Sequence, residues 1–260
     1  IPPKFLKHSP SDRLAKGAAL RHGRQLANEH RCFACHATGV PARRMLELAM
    51  DAPALDGIGS RRDAGWMAEW ILNPAQLRPQ ATMPALLHGA TAEAKAIAAF
   101  LGSLKSGDNS LGEKVDVASA EAGQKLFTQL NCAACHTSAG QPPAEGKVAL
   151  GQVRWKFGQA DSLAAFLRNP QAHYRWNRMP NFALTPDEAT ALAAHLFQSA
   201  DLGKRENIAA NATSIAMGRK LVQSTGCLNC HTLKLENHFS APAIADLANG
   251  CLADNPDVAK

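Results

Sequence analysis

Six of the seven cysteines fall into three frames of one pattern, in which two cysteines are separated by two residues and followed at once by histidine. The frames are Cys32-Phe33-Ala34-Cys35-His36, Cys132-Ala133-Ala134-Cys135-His136 and Cys227-Leu228-Asn229-Cys230-His231. At this spacing on one helical turn, two thiols reach the two vinyl groups along one haem edge, and the next imidazole reaches the iron. The motifs therefore predict three covalently attached haem c groups, with His36, His136 and His231 as proximal ligands.

Other chemistries of cysteine pairs fit the three motifs less well. A thioredoxin-like redox pair has no need of a histidine directly after its second cysteine. Zinc would take four ligands from two of the pairs, which leaves the third pair without a partner and the repeated histidine without a role. Structural disulfides usually join distant segments of the chain, whereas these cysteines are three positions apart.

Two of the six methionines occupy matching positions after the first and second motifs. Met83 lies nine residues past Pro74 and Met179 lies nine residues past Pro170, and each directly precedes another proline. Because a residue before proline is disfavoured in the helical conformation, each methionine is expected on a loop that presents its sulfur. Met83 and Met179 are therefore the predicted distal ligands of the first and second haems, where a thioether raises the reduction potential relative to a second imidazole.

The motifs are embedded in a repeat of about one hundred residues, since their first cysteines lie 100 and then 95 positions apart. A glycine precedes each first cysteine by nine positions, at Gly23, Gly123 and Gly218. Glycine inside a helix costs stability, so its recurrence needs a reason, and the close approach of a second helix supplies one. We therefore expect a helix crossing at each of the three glycines.

Helices are also expected after the first two motifs. One amphipathic segment ends before Pro74 and another before Pro170, because proline cannot continue a helix. A final helix follows each methionine loop, over residues 91–105 and 185–200, and each opens with a threonine in the position of an N-cap. These helices are what must position the methionines against the haems.

The order of helix, haem motif, loop, helix, methionine loop and final helix resembles the small, all-helical, mitochondrial-type cytochrome c domain. The resemblance implies an all-α fold of tandem cytochrome c domains, two complete and one partial. The expected division is an N-terminal arm at 1–15, domains at 16–106, 118–200 and 210–260, and linkers at 107–117 and 201–209. We call the three domains repeats 1, 2 and 3.

The resemblance also implies a partner for the second ring nitrogen of each proximal histidine. In the family this nitrogen donates to a carbonyl of a Pro-Xaa-Leu segment, which fixes the tautomer. Ala52-Pro53-Ala54-Leu55 matches that segment in repeat 1, and Ala241-Pro242-Ala243-Ile244 matches it in repeat 3. Repeat 2 departs from the pattern, since Lys147-Val148-Ala149-Leu150 contains no proline.

Repeat 3 has an attachment motif, but no methionine follows His231. Three explanations stay open: a segment missing from the C-terminus supplies the ligand, His238 binds the iron, or the site is open or covered by a partner chain. His238 lies only seven residues after His231, which barely allows the chain to pass around a haem edge. Cys251 lies outside the motifs and is expected to be either a buried inert thiol or part of a disulfide.

Composition limits the classes of function and the compartment. Apolar residues make up 46% and aromatic residues 5%, which favours packed helices over a β-sandwich, and no apolar run approaches the roughly 20 residues of a membrane span. The formal charge of +6 is spread along the chain, which suits an acidic docking face on a redox partner better than nucleic acid. Because haem is attached outside the cytoplasm, we expect a periplasmic or otherwise exported protein whose signal peptide has been removed.

These features predict a triheme electron carrier that transfers single electrons between redox partners. The alternative is a haem subunit or fragment of a larger oxidoreductase, in which the third haem is an open catalytic or ligand-binding site. No pair of acid and base groups resembles the centre of an enzyme, so no catalytic residue is assigned.

Overall fold

The structure, a computed structural model, describes residues 12–29, 32, 52–79, 81–106, 118–201, 206 and 208–239. Within these residues the α-helices are α1 (Asp12–Glu29), α2 (Ala64–Leu72), α3 (Pro74–Leu77), α4 (Thr91–Ser103), α5 (Ala118–Gln129), α6 (Val153–Phe157), α7 (Ala160–Arg168), α8 (Pro186–Ser199) and α9 (Ala212–Ser224). Short 3-10 helices cover Ile58–Ser60, Cys132–Ala134 and Cys227–Asn229, and the two-residue strands β1 (His136–Thr137) and β2 (Val148–Ala149) pair in parallel.

The predicted all-α fold class is confirmed. Among the described helices, none combines the length and the apolar character needed to cross a bilayer.

The chain divides into two compact units. The terminal unit joins Ile1–Met50 to Ser240–Lys260, and the central unit is Asp51–Phe239. The predicted domains follow the order of the sequence instead, with residues 16–106 in one domain and 210–260 in another.

Of the terminal unit, the structure describes α1 and Cys32. Leu20 and Leu26 on α1 are exposed. A Cβ added at Gly23 would meet no described atom within 4 Å. The helix crossing predicted at Gly23 therefore has no counterpart within the described residues.

Repeat 2 builds one of the two hydrophobic cores of the central unit, which we call core 2. Helices α5 and α8 cross where Gly123 lies against the backbone of Ala191, so closely that an added Cβ would overlap the Ala191 carbonyl oxygen. Helix α7 packs on α8 as well. The buried members of core 2 are Val153, Phe157, Leu163, Ala164, Leu167, Leu184, Ala189, Leu192, Ala193, Leu196 and Ala200.

The second core, core 1, combines residues 52–106 with residues from repeat 3. Helix α9 crosses α4 where Gly218 lies against the backbone of Ala96, and α2 packs on α4 as well. Val222 of α9 is fully buried in this core. The other buried members are Leu55, Ile58, Trp66, Met67, Ala68, Ile71, Leu87, Ala94, Ile97, Ala98, Phe100, Leu101 and Trp155. Core 1 therefore unites two segments that repeat 2 separates in the sequence.

Several helix ends follow local sequence signals, and one predicted signal fails. Helices α2 and α7 end at Asn73 and Asn169, which adopt almost the same backbone angles (φ −149°, ψ 83° and φ −146°, ψ 81°) directly before a proline. Thr185 caps α8 in a reciprocal pair with Glu188, as predicted. The cap predicted at Thr91 is wrong, because the N-cap of α4 is Ala90 and the Thr91 hydroxyl donates to the Gly89 carbonyl.

Candidate haem sites

The second motif forms a tight turn after α5. Asn131 lies in the left-handed region (φ 52°), and the 3-10 helix that follows places Cys132 and Cys135 on one turn, where the Cys135 N–H donates to the Cys132 carbonyl at 3.2 Å. Neither cysteine forms a disulfide, and Cys135 is exposed. Two reduced thiols on one turn are the arrangement that thioether attachment of haem requires.

The imidazole of the second motif is held by a backbone carbonyl. The Nδ1 of His136 lies 3.1 Å from the Val148 oxygen. Because a carbonyl only accepts hydrogen bonds, Nδ1 carries the hydrogen and Nε2 keeps a lone pair that is available to a metal. Burial lowers the pKa of His136, and the hydrogen bond to Val148 opposes that effect. The neutral imidazole that metal binding requires is thus favoured.

Backbone pairing fixes the segment that supplies this carbonyl. The Val148 N–H donates to the Cys135 carbonyl and the Leu150 N–H donates to the Thr137 carbonyl, both at 2.9 Å. The imidazole needs only a carbonyl oxygen at this place in the strand pair. Repeat 2 therefore supports its histidine although it lacks the proline of the Pro-Xaa-Leu pattern.

The third motif is held in the same way, but by residues far away in the sequence. The Nδ1 of His231 donates to the Pro53 carbonyl at 2.7 Å. On either side, the Ala52 N–H donates to Cys230 at 2.9 Å and the Leu55 N–H donates to Thr232 at 3.0 Å. Burial lowers the pKa of His231 as well, against the effect of the Pro53 hydrogen bond. The Pro53 segment, which the sequence paired with the first motif, thus contacts the third.

Both predicted methionine ligands lie in irregular loops. Met83 is half-buried against core 1, and its sulfur accepts a hydrogen bond from Trp70 Nε1 at 3.0 Å. Met179 is half-buried against core 2, where its N–H donates to Asn177 Oδ1 at 3.0 Å and its carbonyl accepts from Gln171 Nε2 at 2.7 Å. A thioether sulfur has two lone pairs, so the contact with Trp70 leaves one for a metal.

A cluster of cations lies where core 1 meets α6: Arg61 is buried, and Arg62, Arg78 and Lys156 are half-buried. Burial, together with the positive charges of Arg62 and Arg78, lowers the pKa of Lys156 to about 7. Burial also lowers the pKa of Arg62 to about 9, together with the charge of Arg61. Burial lowers the pKa of Arg61 to about 10, and the negative charge of Asp56 partly opposes that effect. Buried cations are costly unless an anion pairs with them.

Buried N–H donors in the same region also lack acceptors among the described residues. They are Arg61 Nε, Arg78 Nε, Trp66 Nε1 and Trp155 Nε1. Lys156 Nζ lies 5.2 Å from the centre of the Trp66 ring, which ties these donors to the cations. The two propionate carboxylates of a haem are anionic acceptors of the kind that such a cluster requires. The central unit therefore has the thiols, the imidazoles and the buried hydrogen-bond donors that a covalently attached haem requires.

The remaining predicted site residues are placed as follows. Cys32 is half-buried and forms no disulfide. Cys35, His36, Cys251 and the Pro242 segment lie outside the described residues. His238 is half-exposed, with Nε2 at 3.3 Å from the Glu236 carboxylate, and its backbone N–H donates to Gln223.

Two protein-family models match parts of the chain. Residues 120–200 match the family Cytochrome c, and residues 4–61 match the family Cytochrome c554 and c-prime. The first match runs from α5 to the end of α8, and the second contains the first motif and Pro53. No curated protein and no solved structure matches the chain. Together with the geometry of the second motif, the two family matches support a c-type cytochrome with a role in haem electron transfer.

Proposed function

We propose that the chain is a triheme c-type cytochrome that passes single electrons between a donor and an acceptor protein. The observation that carries the proposal is the second motif, where two reduced thiols, an imidazole with Nδ1 held by Val148, and the Met179 loop belong to one packed repeat. When bound, a haem supplies a one-electron couple between ferric and ferrous iron.

The residues of the chain have distinct tasks in this function. The cysteine pairs of the motifs, Cys32 and Cys35, Cys132 and Cys135, and Cys227 and Cys230, attach the haems. His36, His136 and His231 bind iron on the proximal side, and a backbone carbonyl orients the last two. Met83 and Met179 bind on the distal side and raise the potential. The buried cations of the central unit neutralise propionates, and the two cores exclude water.

The partner and the compartment follow from charge and from attachment chemistry. The polypeptide has a formal charge of +6, which supports a redox partner with an acidic docking face. Cytochrome c domains are typically exported, because covalent haem attachment takes place outside the cytoplasm. We therefore place the mature protein in the periplasm or beyond.

The count of haems is tested by the mass of the denatured holoprotein. We expect the polypeptide plus three haems, retained through acid–acetone extraction because thioether bonds are covalent. Replacing both cysteines of any one motif by alanine should remove one haem. The three pairs are Cys32 and Cys35, Cys132 and Cys135, and Cys227 and Cys230. A mass without haem, or zinc in place of iron, would contradict the proposal.

A further inference from the structure

We propose that Met83 is the distal ligand of the haem attached at the third motif. Residues 52–106 and 208–239 then form one cytochrome c domain, whose two halves stand on opposite sides of repeat 2 in the sequence. The inference rests on the proposed function, since it requires a haem at Cys227 and Cys230. It replaces the sequence-based pairing of Met83 with the first motif, and it supplies the methionine that repeat 3 lacks.

The first argument is the crossing of helices. In repeat 2, Gly123 of the helix before the motif lies against Ala191 of the helix after the methionine loop. In core 1, Gly218 of the helix before the third motif lies in the same way against Ala96 of the helix after the Met83 loop. At both crossings an added Cβ would overlap the alanine carbonyl oxygen and would crowd the side chain four residues further along. Helix α9 thus crosses α4 in the same way as α5 crosses α8.

The second argument is the support of the proximal histidine. His136 donates to Val148, and His231 donates to Pro53. In each case the carbonyl before the histidine and the carbonyl after it accept from the same supporting segment. The supporting segment and the methionine loop come from one stretch of chain in repeat 2. By the same arrangement, the stretch that supports His231 is the one that contains Met83.

The third argument is the position of the methionine loop. Met83 packs against core 1, and Cys227 and Leu228 of the third motif pack against that same core. The chain enters the loop through Asn73, whose backbone angles match those of Asn169 before the Met179 loop. The elements that surround Met179 therefore have counterparts around Met83, and the third motif is one of these counterparts.

The opposing pairing has its own support, and the experiment must separate the two. The match to Cytochrome c554 and c-prime covers residues 4–61, a range with both the first motif and Pro53. If Met83 serves the first motif, the third haem lacks a thioether. If Met83 serves the third motif, that haem keeps its thioether when the first motif is removed.

The test uses the full-length holoprotein with the first motif removed by Cys32→Ala, Cys35→Ala and His36→Ala. We expect two haems by mass, and both should show the red-end absorption band of a ferric iron–thioether bond. Adding Met83→His should reduce that band to about half, because one haem becomes bis-imidazole, and should lower the potential of that haem. Adding Met179→His instead is the matched control, which should change the other haem by a similar amount.

In a second background, which lacks the third motif, Met83→His should have no effect. With the third motif removed by Cys227→Ala, Cys230→Ala and His231→Ala, Met83→His should leave the potentials of the two remaining haems unchanged. If instead the background without the first motif has one thioether-bound haem, and Met83→His alters nothing there, the pairing is overturned. Absence of haem mass at the third motif would contradict the proposed function itself, so the two failures are distinguishable.

A ligand-binding measurement covers the case in which Met83→His does not fold. In the background without the first motif, Met83→Ala should open one haem to carbon monoxide in the ferrous state, whereas the parent should bind none. The matched Met179→Ala variant should open the other haem. Carbon monoxide binding to a haem in the parent, unchanged by Met83→Ala, would overturn the assignment of Met83.

Discussion

The histidines of the second and third motifs show how little the chain needs to specify at the scale of one residue. His136 and His231 each require a single acceptor for Nδ1, and any backbone carbonyl in the right place serves. Val148 and Pro53 are chemically different residues, yet their carbonyls do the same work. In both cases backbone hydrogen bonds from the supporting segment to the carbonyls on either side of the histidine hold the acceptor in place.

The half-buried Lys156 leads to a prediction about reduction potential and pH. Replacing it by methionine should lower the reduction potential of the haem whose propionates meet the cluster, because a nearby cation disfavours the additional positive charge of ferric iron. A Coulomb estimate at an effective dielectric constant of about 20 gives on the order of 1 kcal/mol, or about 40 mV for one electron.

The difference in potential should depend on pH, because Lys156 acts only while it is protonated. The polypeptide alone sets the pKa of Lys156 at about 7, and pairing with a propionate raises it. The difference in reduction potential between the wild type and Lys156→Met should be largest below that pKa and should decrease as the pH rises through it. Redox titrations over a pH series measure this, with the exposed Lys125→Met as control. Equal potentials at pH 6 would contradict the role of the cluster.

At the scale of elements, the two cores depend on helix pairs that approach closely at glycine. At both crossings the carbonyl oxygen of the partner helix stands where a Cβ would be. A backbone atom cannot rotate away as a side chain can, so the helices must separate to admit even a methyl group. This places the constraint on the pair of helices rather than on either helix alone.

Alanine at these glycines should destabilise the holoprotein. We expect Gly123→Ala and Gly218→Ala each to cost about 1–3 kcal/mol in the free energy of unfolding, because overpacking outweighs the gain in helix propensity. Thermal or denaturant unfolding checks this against Gln124→Ala and Arg219→Ala, which alter exposed neighbours on the same helices. A Gly218→Ala protein as stable as Arg219→Ala would argue against the crossing of α9 with α4.

At the scale of the whole molecule, the central unit is held together by contacts that cross the order of the sequence. Core 1 takes its helices from both sides of repeat 2, and Trp155 of repeat 2 is buried within it. Losing either contributing segment removes part of one core. The stability of residues 52–106 is therefore linked to the third motif.

Amide hydrogen exchange should show this linkage directly. Removing the third haem with Cys227→Ala and Cys230→Ala in the full chain should reduce protection in α2 and α4 as well as in α9, because all three bury side chains in core 1. Helices α5 and α8 should keep their protection. Replacing Cys132 and Cys135 instead should expose α5 and α8 and leave α9 protected. Full protection of α4 after loss of the third haem would contradict the shared core.

The amino-acid sequence by itself determined the features that depend on short-range chemistry. The spacing of each cysteine pair and its histidine follows from the dimensions of a haem edge and one helical turn. The ends of α2 and α7 before Pro74 and Pro170 follow from the missing N–H of proline, and the cap at Thr185 follows from the hydroxyl and Glu188. The all-α class is what the resemblance to a small helical domain implies, and the composition favours it.

Only the tertiary structure decided which halves belong together. Gly23, Gly123 and Gly218 stand in equivalent places before their motifs, and the final helices α4 and α8 are similar, so no local pattern states which helix crosses which. The choice depends on the packing of whole faces, such as the complete burial of Val222 against core 1. The pairing of Pro53 with His231 was hidden for the same reason, since the two residues are far apart in the sequence.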